Sequence, residues 1–482
     1  MKNKIIYLLV TLVTVFCVST LSAQKTSKNR YVPREGNKQS AHAMSFAGAL
    51  EYYASIRNNQ ETKELNPLDY FNARKEVENL KSNKSNLIWN NIGPVNQGGR
   101  VRSIIFDRSN PNIMYAGAVS GGLWKTTNSG LSWAPINDLQ ENLAVTAIAQ
   151  APNGIIYYGT GEGFAPGTGA ANGSTGFTGK GLFKSTDATG TTFVQIPSTD
   201  PTTQTAWTYV YKMAIHPTTG DIYVATHNGA RVSKDEGATW TNPIQGTGAT
   251  SRAHDVDIST DGNTIVLVVG HRLFISKDAG ATFNPAPTSG TTGLPASGIS
   301  RIEVDIAPSN SNIMYAAAIK TNETLHNVYR TEDGGTTWTI IGPGGSANFN
   351  PPGNQGTYNC VLKVHPTNPN KLFFGGIDKW SWELNGNWIQ KSLWYASETS
   401  PYYLHADHHE YVYHPQNPNI IYYGTDGGIS RSTDGGNSFH SLNRNFVTLQ
   451  YYTLNASITG EIMGGTQDNG TLLMDRKGFI EG

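Results

Sequence analysis

Ser432-Thr433-Asp434-Gly435-Gly436-Asn437-Ser438-Phe439 reads as a tight turn that closes on an aromatic side chain. A short carboxylate at the third position can accept N–H bonds from the residues just after it, glycine supplies a positive φ, and the terminal aromatic packs between neighbouring strands. The same phrase, Ser/Thr-x-Asp-x-Gly-x-Ser/Thr-Trp/Phe, recurs at Ser233 to Trp240, Ser276 to Phe283 and Thr331 to Trp338. Ser185 to Phe193 carries one extra residue, and Thr126 to Trp133 has Asn128 at the acid position. Asn128, Asp187, Asp235, Asp278, Asp333 and Asp434 are therefore read as structural staples and not as catalytic groups. Each is expected to contribute about 1–3 kcal/mol where its side chain accepts buried N–H groups.

Successive key positions lie 59, 48, 43, 55 and 101 residues apart. The long last gap holds Lys371 to Gly376 and Trp380 to Trp388, which read as a unit that has lost its turn motif. Upstream of the motifs, Asn/Pro turns such as Asn110-Pro111-Asn112 and Asn417-Pro418-Asn419 precede aromatic strands such as Ile113 to Ala116 and Ile420 to Tyr423. A period near fifty with several short strands per unit predicts an all-β propeller of seven to eight four-stranded blades. Seven units run from about Gly99 to Asn445, and an eighth begins at Gln450 to Leu454 and Glu461 to Gly465. Its outer strand is expected either from Asn86 to Asn90 or from chain beyond Gly482.

Met1-Lys2-Asn3-Lys4, the apolar run Ile5 to Leu21 and Ser22-Ala23 have the order of an export signal, with cleavage after Ala23. Residues 24–85 read as a leader with two amphipathic helices, 41–58 and 67–82, and 86–482 as the propeller. The expected location is secreted or at the cell surface, with no membrane span once the signal is removed. Lys+Arg 36 against Asp+Glu 36 leaves no basic excess, so no nucleic-acid partner is expected. Cys17 lies in the signal, which leaves Cys360 as a lone thiol, read as buried and structural.

Antiparallel order within a blade puts the loop after the second strand and the entry to the first strand on one face, and the carboxylate turns on the other. The first face collects Ser120, Glu162, His227, His271, Asp378, Asp426 and Asp468 from loops, and Arg100, Arg102, Arg301 and the run His405-Ala406-Asp407-His408-His409-Glu410 from strand entries. Alternation puts His405, Asp407 and His409 on one side of a strand, where imidazole and carboxylate ligands could hold a divalent metal; the competing reading is a polar lining of the channel mouth. Hydrolysis of a glycosidic bond requires an acid and a base or nucleophile. Asp426, Asp468 and Glu162 are the candidate catalytic acids, and turn chemistry is the alternative for glycine-flanked acids. Arg100, Arg102, His227, His271, Arg301, Asp378 and His408 are the candidate binding face.

Gly121-Gly122-Leu123-Trp124-Lys125-Thr126, Ser432-Thr433-Asp434-Gly435-Gly436, Gly98-Gly99-Arg100-Val101 and Gln467-Asp468-Asn469-Gly470 resemble the BNR or Asp-box propellers described as glycosyl-hydrolase-like or sortilin-like, over about Asn86 to the end. The leader phrase Ile56 to Thr62 resembles the segment before such propellers in secreted proteins of Bacteroidetes type. In the xyloglucan-hydrolysing branch, the resemblance implies a catalytic Asp in a Thr-Asp-x-Gly-Gly phrase of the first blade; here that place is Ala118-Val119-Ser120-Gly121-Gly122, with serine, while Asp426 stands in a matching phrase. Sialidases share the turn and use an arginine triad, for which Arg100, Arg102 and Arg301 lie on the right face without the surrounding motifs. Sortilin-like propellers imply peptide binding and a cysteine-rich module that this sequence lacks. Two functions follow as expectations: a propeller engaging polysaccharide or glycoprotein, with glycoside hydrolysis possible, and a non-enzymatic scaffold for an extracellular protein or peptide.

Overall fold

The computed structural model describes Ser55, Asn58, Asn59, residues 61–63 and 67–79, and residues 91–480 apart from 137, 139, 141, 164–175, 247, 289 and 346–348. The signal segment, most of the leader and Asn86 to Asn90 lie outside the described residues. Of the two leader helices, the first falls almost wholly outside them, and the second runs from Pro67 to Asn79 with proline at its first position and Asp69 in its first turn. All described residues belong to the compact unit Ala54–Gly482.

Among the described residues eight antiparallel sheets follow one another, six of four strands and two of three, each with its strands in sequence order. The first strands of the first seven sheets are Val101–Phe106, Val145–Gln150, Val210–Ile215, Ala253–Ile258, Ile299–Ile306, Val361–Val364 and His408–His414. Each touches the next, and His408–His414 returns against Val101–Phe106. Sheets standing around a common axis in this way are a β-propeller. In the third and eighth sheets the outer strand shrinks to single bridges, Val232 with Thr241 and Met474 with Ile480.

Ile265–Val269 illustrates the packing, since all five residues are buried. Side chains alternate across a strand. Val266 and Val268 accordingly join Ile302, Val304, Met314 and Ala316 of the fifth sheet. Ile265, Leu267 and Val269 join Tyr223 and Ala225 of the third. A sheet flanked on both sides must be apolar on both faces, so the middle strands read as unbroken apolar runs.

The recurrent turns share one geometry. Ser276 Oγ donates to Asp278 Oδ1 at 2.7 Å and accepts from the Gly280 N–H at 2.8 Å, while Asp278 accepts from the N–H and hydroxyl of Thr282 at 2.9 and 2.6 Å. The turns at Asp235, Asp333 and Asp434 repeat these bonds. Asn128 accepts from the Ser132 N–H at 3.0 Å, and Asp187, with the extra residue, accepts instead from Thr189 at 2.8 Å. Gly280 has φ +85°, and a Cβ there would meet the Tyr223 hydroxyl of the preceding sheet at 2.0 Å, so the turn also fits against its neighbour. The carboxylates are exposed and the serine or threonine hydroxyl is the buried member, which corrects the expectation that the carboxylate accepts buried N–H groups.

These turns lie beside the turns that join first and second strands: the N–H groups of Ser129, Ala279, Gly334 and Gly435 donate to the carbonyls of Asn112, Asn263, Asn312 and Asn419. On the other face, Val119, His227, Gly270 and Gln467 donate to the carbonyls of Arg100, Tyr209, Arg252 and Gln450 at the strand entries. The two faces are thus sorted as antiparallel order predicts.

The eighth sheet follows the closed cycle. Its strand Tyr451–Ala456 is exposed along most of its length. Its free end is tied to the start of the first unit, with the Val95 N–H on the Gly478 carbonyl and the Ile480 N–H on Asn96 Oδ1 at 2.9 Å.

Candidate functional site

A recurrent irregularity builds the mouth of the channel. Pairing between the first and second strands skips one residue near the start in seven of the eight sheets, by bulges such as that between Val101 and Ser103 and that between His408 and Glu410. A bulge leaves one residue unpaired and re-aims its side chain. In the first sheet that residue is Arg102 and in the seventh it is His409, and the two meet, Arg102 Nη1 lying 2.9 Å from His409 Nδ1.

Around them stands a buried ionic cluster. Arg100 Nη1 donates to Glu162 Oε2 at 2.6 Å, Arg100 Nε donates to Asp426 Oδ1 at 3.0 Å, and Arg100 Nη2 lies 3.7 Å from Asp468 Oδ2. Arg102 Nε donates to Glu162 Oε1 at 2.7 Å, and Arg102 Nη1 donates to the Tyr358 carbonyl at 2.8 Å. The Tyr358 ring lies under both guanidinium groups, at 4.9 Å from Arg100 and 4.7 Å from Arg102, and its hydroxyl donates to Asp426 Oδ2 at 2.5 Å. His409 Nε2 lies 2.7 Å from Asp426 Oδ1. One arginine thus gathers all three candidate catalytic acids, contributed by the second, seventh and eighth sheets.

The acids differ in exposure. Glu162 and Asp426 are buried, with both oxygens of each occupied, whereas the Asp468 side chain is 43 % exposed. Burial works to raise the Asp426 carboxyl, but Arg100 and His409 outweigh it and hold it well below the ordinary range. Burial also works against the charged Arg100, and Asp426 and Glu162 outweigh it to raise its pKa further. Asp468 is pushed up to about 7, first by desolvation and then by the charge of Asp426. Asp407 is pushed up to about 7 by the same two causes, with its carboxylate accepting from Gln355 and Asn359. Both Asp407 and Asp468 hold positive φ, 62° and 59°, and non-glycine residues in that region cluster at functional sites.

The three residues read as metal ligands do not converge. His405 sits between the carbonyls of Ala406 and Asp468, each at 3.0 Å, Asp407 turns to the two amides, and His409 is taken by Arg102 and Asp426. The physical reason is that Asp407 precedes the strand in a left-handed conformation and His409 is bulged, so simple alternation does not hold across 405–409. Among the described residues no group of three or more His, Cys, Asp or Glu is arranged to hold a metal ion.

The remaining binding-face residues scatter. Arg301 donates to the Thr357 and Cys360 carbonyls, each at 3.0 Å, and to Glu303 at 2.6 Å, bracing the backbone around Tyr358. His227 is half-buried, its Nδ1 3.1 Å from the Tyr211 hydroxyl, and burial, then Arg252, lowers its pKa to about 4. His271 is exposed at a hairpin tip. Two expectations are corrected: His408 is fully buried with its ring on the Tyr411 hydroxyl, and Asp378 is buried as the acceptor for Ser392 and the Trp394 N–H, which follow the outer strand of the same sheet. Cys360 is buried, and burial pushes its thiol pKa up. Tyr358 was not singled out by the sequence, although it precedes the first strand of the sixth sheet as Arg100 precedes that of the first.

A groove adjoins this cluster. It has a volume of about 410 Å³ and runs from Gln97, His405 and Gly427 near Asp468 outward to Phe439 and the outer strand His440–Ser441.

No protein-family model matches the chain, and no curated protein matches it. Solved structures do. An ancestral GH74 enzyme superposes with a TM-score of 0.58 at 18 % identity, over 82 % of this chain and 55 % of that one. The GH74 xyloglucanase from Xanthomonas campestris gives 0.57 at 15 %, over 80 % and 60 %, and the GH74 enzyme of Niastella koreensis gives 0.55 at 17 %, over 81 % and 61 %. The chain therefore spans between half and two thirds of the length of these structures. Likeness at such identities establishes the fold: this is a β-propeller protein of the architecture found in GH74 enzymes.

Proposed function

We propose that this is an exported propeller that engages polysaccharide on the face carrying Arg100, Asp426 and Asp468, with Asp468 as proton donor to a glycosidic oxygen. The observation that carries the reading is the Asp468 carboxyl at the mouth: 43 % exposed, within 3.7 Å of Arg100, and pushed up to about 7 by partial desolvation and by the charge of Asp426. An acid protonated near neutral pH next to a second, ionised carboxylate is the arrangement general-acid catalysis requires. Asp426 supplies that fixed negative charge while Arg100, His409 and Tyr358 hold it in place. A xyloglucanase among the structural neighbours supports a polysaccharide as the ligand. The export signal at residues 1–23 supports an extracellular site of action.

The test is a polysaccharide digestion screen, followed by Asp468→Asn on any glycan that is cleaved. A loss of at least a hundredfold in turnover is expected, within the range general acids contribute. Unchanged turnover rejects the assignment.

A second reading is favoured by the pairing of Glu162 and Asp426. Hydrolysis needs a second carboxylate to attack or to activate water. These two are buried with every oxygen engaged. A scaffold that binds a glycan or an extracellular protein without turnover accounts for that pairing, and binding without product release in the same screen assigns it.

A further inference from the structure

We propose that His365 and His414 form an acid-released latch on the two flanks of the ring-closing seventh sheet: each caps a turn only while its Nδ1 carries no proton, so acid frees the turn and loosens the seam beside it. The inference is independent of the polysaccharide reading. It starts from a phrase that recurs where first strands end, His216-Pro217, His365-Pro366 and His414-Pro415. His216 follows the strand Val210–Ile215, His365 follows Val361–Val364, and His414 closes His408–His414. In each case the ring turns back on the chain. His365 Nδ1 accepts from the N–H groups of Thr367 and Asn368 at 3.3 and 3.2 Å, His216 Nδ1 from those of Thr218 and Thr219 at 3.2 and 3.1 Å, and His414 Nδ1 from that of Gln416 at 3.2 Å. A ring nitrogen that accepts holds no proton, so the neutral imidazole carries its one proton on Nε2.

The first sheet fills the same place with a carboxylate. Asp107 follows Val101–Phe106 and accepts from the N–H groups of Ser109 and Asn110 at 2.9 and 3.1 Å, again two and three residues on. A carboxylate and a neutral imidazole are equivalent caps at pH 7 and diverge in acid. Burial works to raise the Asp107 carboxyl, but hydrogen bonds from Ser109 and Gln150 outweigh it and lower its pKa, so that cap persists in mild acid. A protonated imidazole has two donors and no acceptor, and it leaves the turn N–H groups facing another N–H.

His216 is buried in the third sheet, whereas His365 and His414 are half-buried and stand at the ring closure. The His365 ring lies edge-on to Tyr413 of the seventh sheet at 5.4 Å, and the His414 ring edge-on to Phe106 of the first at 5.3 Å. The turns they cap receive the outer hairpins: the Leu384 N–H donates to the Asn370 carbonyl, and the Gly435 N–H to the Asn419 carbonyl. Burial, then Lys371, lowers the pKa of His365 against the opposing charge of Glu383, and Arg330 of the fifth sheet reaches the same turn at Asn370 Oδ1, 2.6 Å away. Burial lowers the pKa of His414, with no charged group contributing. A folded-state pKa below the unfolded value of about 6.5 gives stability that is present above that value and lost as pH falls through the folded one.

The test follows thermal melting of the full chain from about pH 7.5 to pH 5, across the unfolded histidine pKa, for the parent and for the His365→Asp/His414→Asp double variant, which copies the Asp107 cap. Between those limits the gap in melting temperature should move by about 2–4 °C in favour of the variant. The comparison isolates the latch, because His227, His254, His408 and His409, whose pKa values burial also lowers, titrate in both proteins. Amide hydrogen exchange in the parent, corrected for the intrinsic effect of pH, gives a local readout that needs no variant. Protection at Thr367, Asn368 and Gln416 should drop about fivefold on going from neutral pH to mild acid, the scale of one hydrogen bond, while protection at Ser109 and Asn110 holds. Parallel melting profiles in the two proteins, or an equal loss of protection at the Asp107 turn and the two histidine turns, would overturn the latch. Should the double variant fail to fold, exchange in the parent decides the matter alone.

Discussion

Replacing Arg100 by Met removes the one cation that touches Glu162, Asp426 and Asp468 together. Methionine keeps most of the length of the side chain, so the loss is chiefly electrostatic. Arg100 is 9 % exposed and Glu162 and Asp426 are 2 % exposed, so water does little to replace it. Breaking a buried ion pair from one side costs about 3–5 kcal/mol. The lower end, about 3 kcal/mol, is expected here because Glu162 keeps Arg102 and Asp426 keeps His409 and Tyr358. Denaturant unfolding of parent and variant at pH 7 measures the difference through the midpoint, provided the slope is unchanged. The pH dependence supplies a second check. In the parent, the folded-state pKa of Asp426 is depressed, so its contribution is present above the unfolded value of about 3.9 and is lost only as pH falls through the lower folded value. In the variant that depression is weakened by the loss of its largest cause, and Asp426 takes up a proton at a higher pH than in the parent. The gap between the two proteins should therefore narrow as pH falls from 7. A loss below about 1 kcal/mol, the scale of an exposed pair, or a gap independent of pH would refute the buried cluster.

Other outcomes follow from the same geometry. Asp407 has a folded-state pKa raised to about 7 against about 3.9 unfolded, so the folded state binds more protons between those values and stability should fall as pH rises through that window. Asp407→Asn should flatten that part of the stability profile, and parallel profiles for parent and variant would contradict it. In the recurrent turns, Ser276 is fully buried and its hydroxyl both donates to Asp278 and accepts the Gly280 N–H, so Ser276→Ala should cost about 1–3 kcal/mol by leaving that N–H without an acceptor. Asp278→Ala, at an exposed carboxylate, should cost less, and thermal melting of the two variants ranks them.

The blade architecture was legible because it repeats locally. Ser276, Asp278, Gly280 and Thr282 bond within one short stretch of chain, so the turn is written in contiguous residues and its period is visible without any tertiary knowledge. The sorting of faces followed as well, since antiparallel order is a matter of counting strands. The second leader helix was legible from Pro67, and the described residues are helical from there to Asn79. The candidate acids were found for the same reason: Glu162, Asp426 and Asp468 occupy equivalent loops of different sheets.

What chain order could not carry is the company these acids keep. Arg100 meets Glu162 and Asp426 across 62 and 326 residues, and Tyr358 slides beneath both arginines from the entry to the sixth sheet. Such contacts depend on how far each sheet turns about the axis and on where a bulge falls. One skipped residue swings Arg102 and His409 into the mouth and breaks the alternation that had suggested a metal site. The sequence by itself determined the repeat, the turn chemistry and the face on which Glu162, Asp426 and Asp468 lie, because those are short-range consequences of residue type. The tertiary structure alone decided which acids are silenced by ion pairs and which remains open to solvent, because burial and charge pairing are properties of the assembled ring.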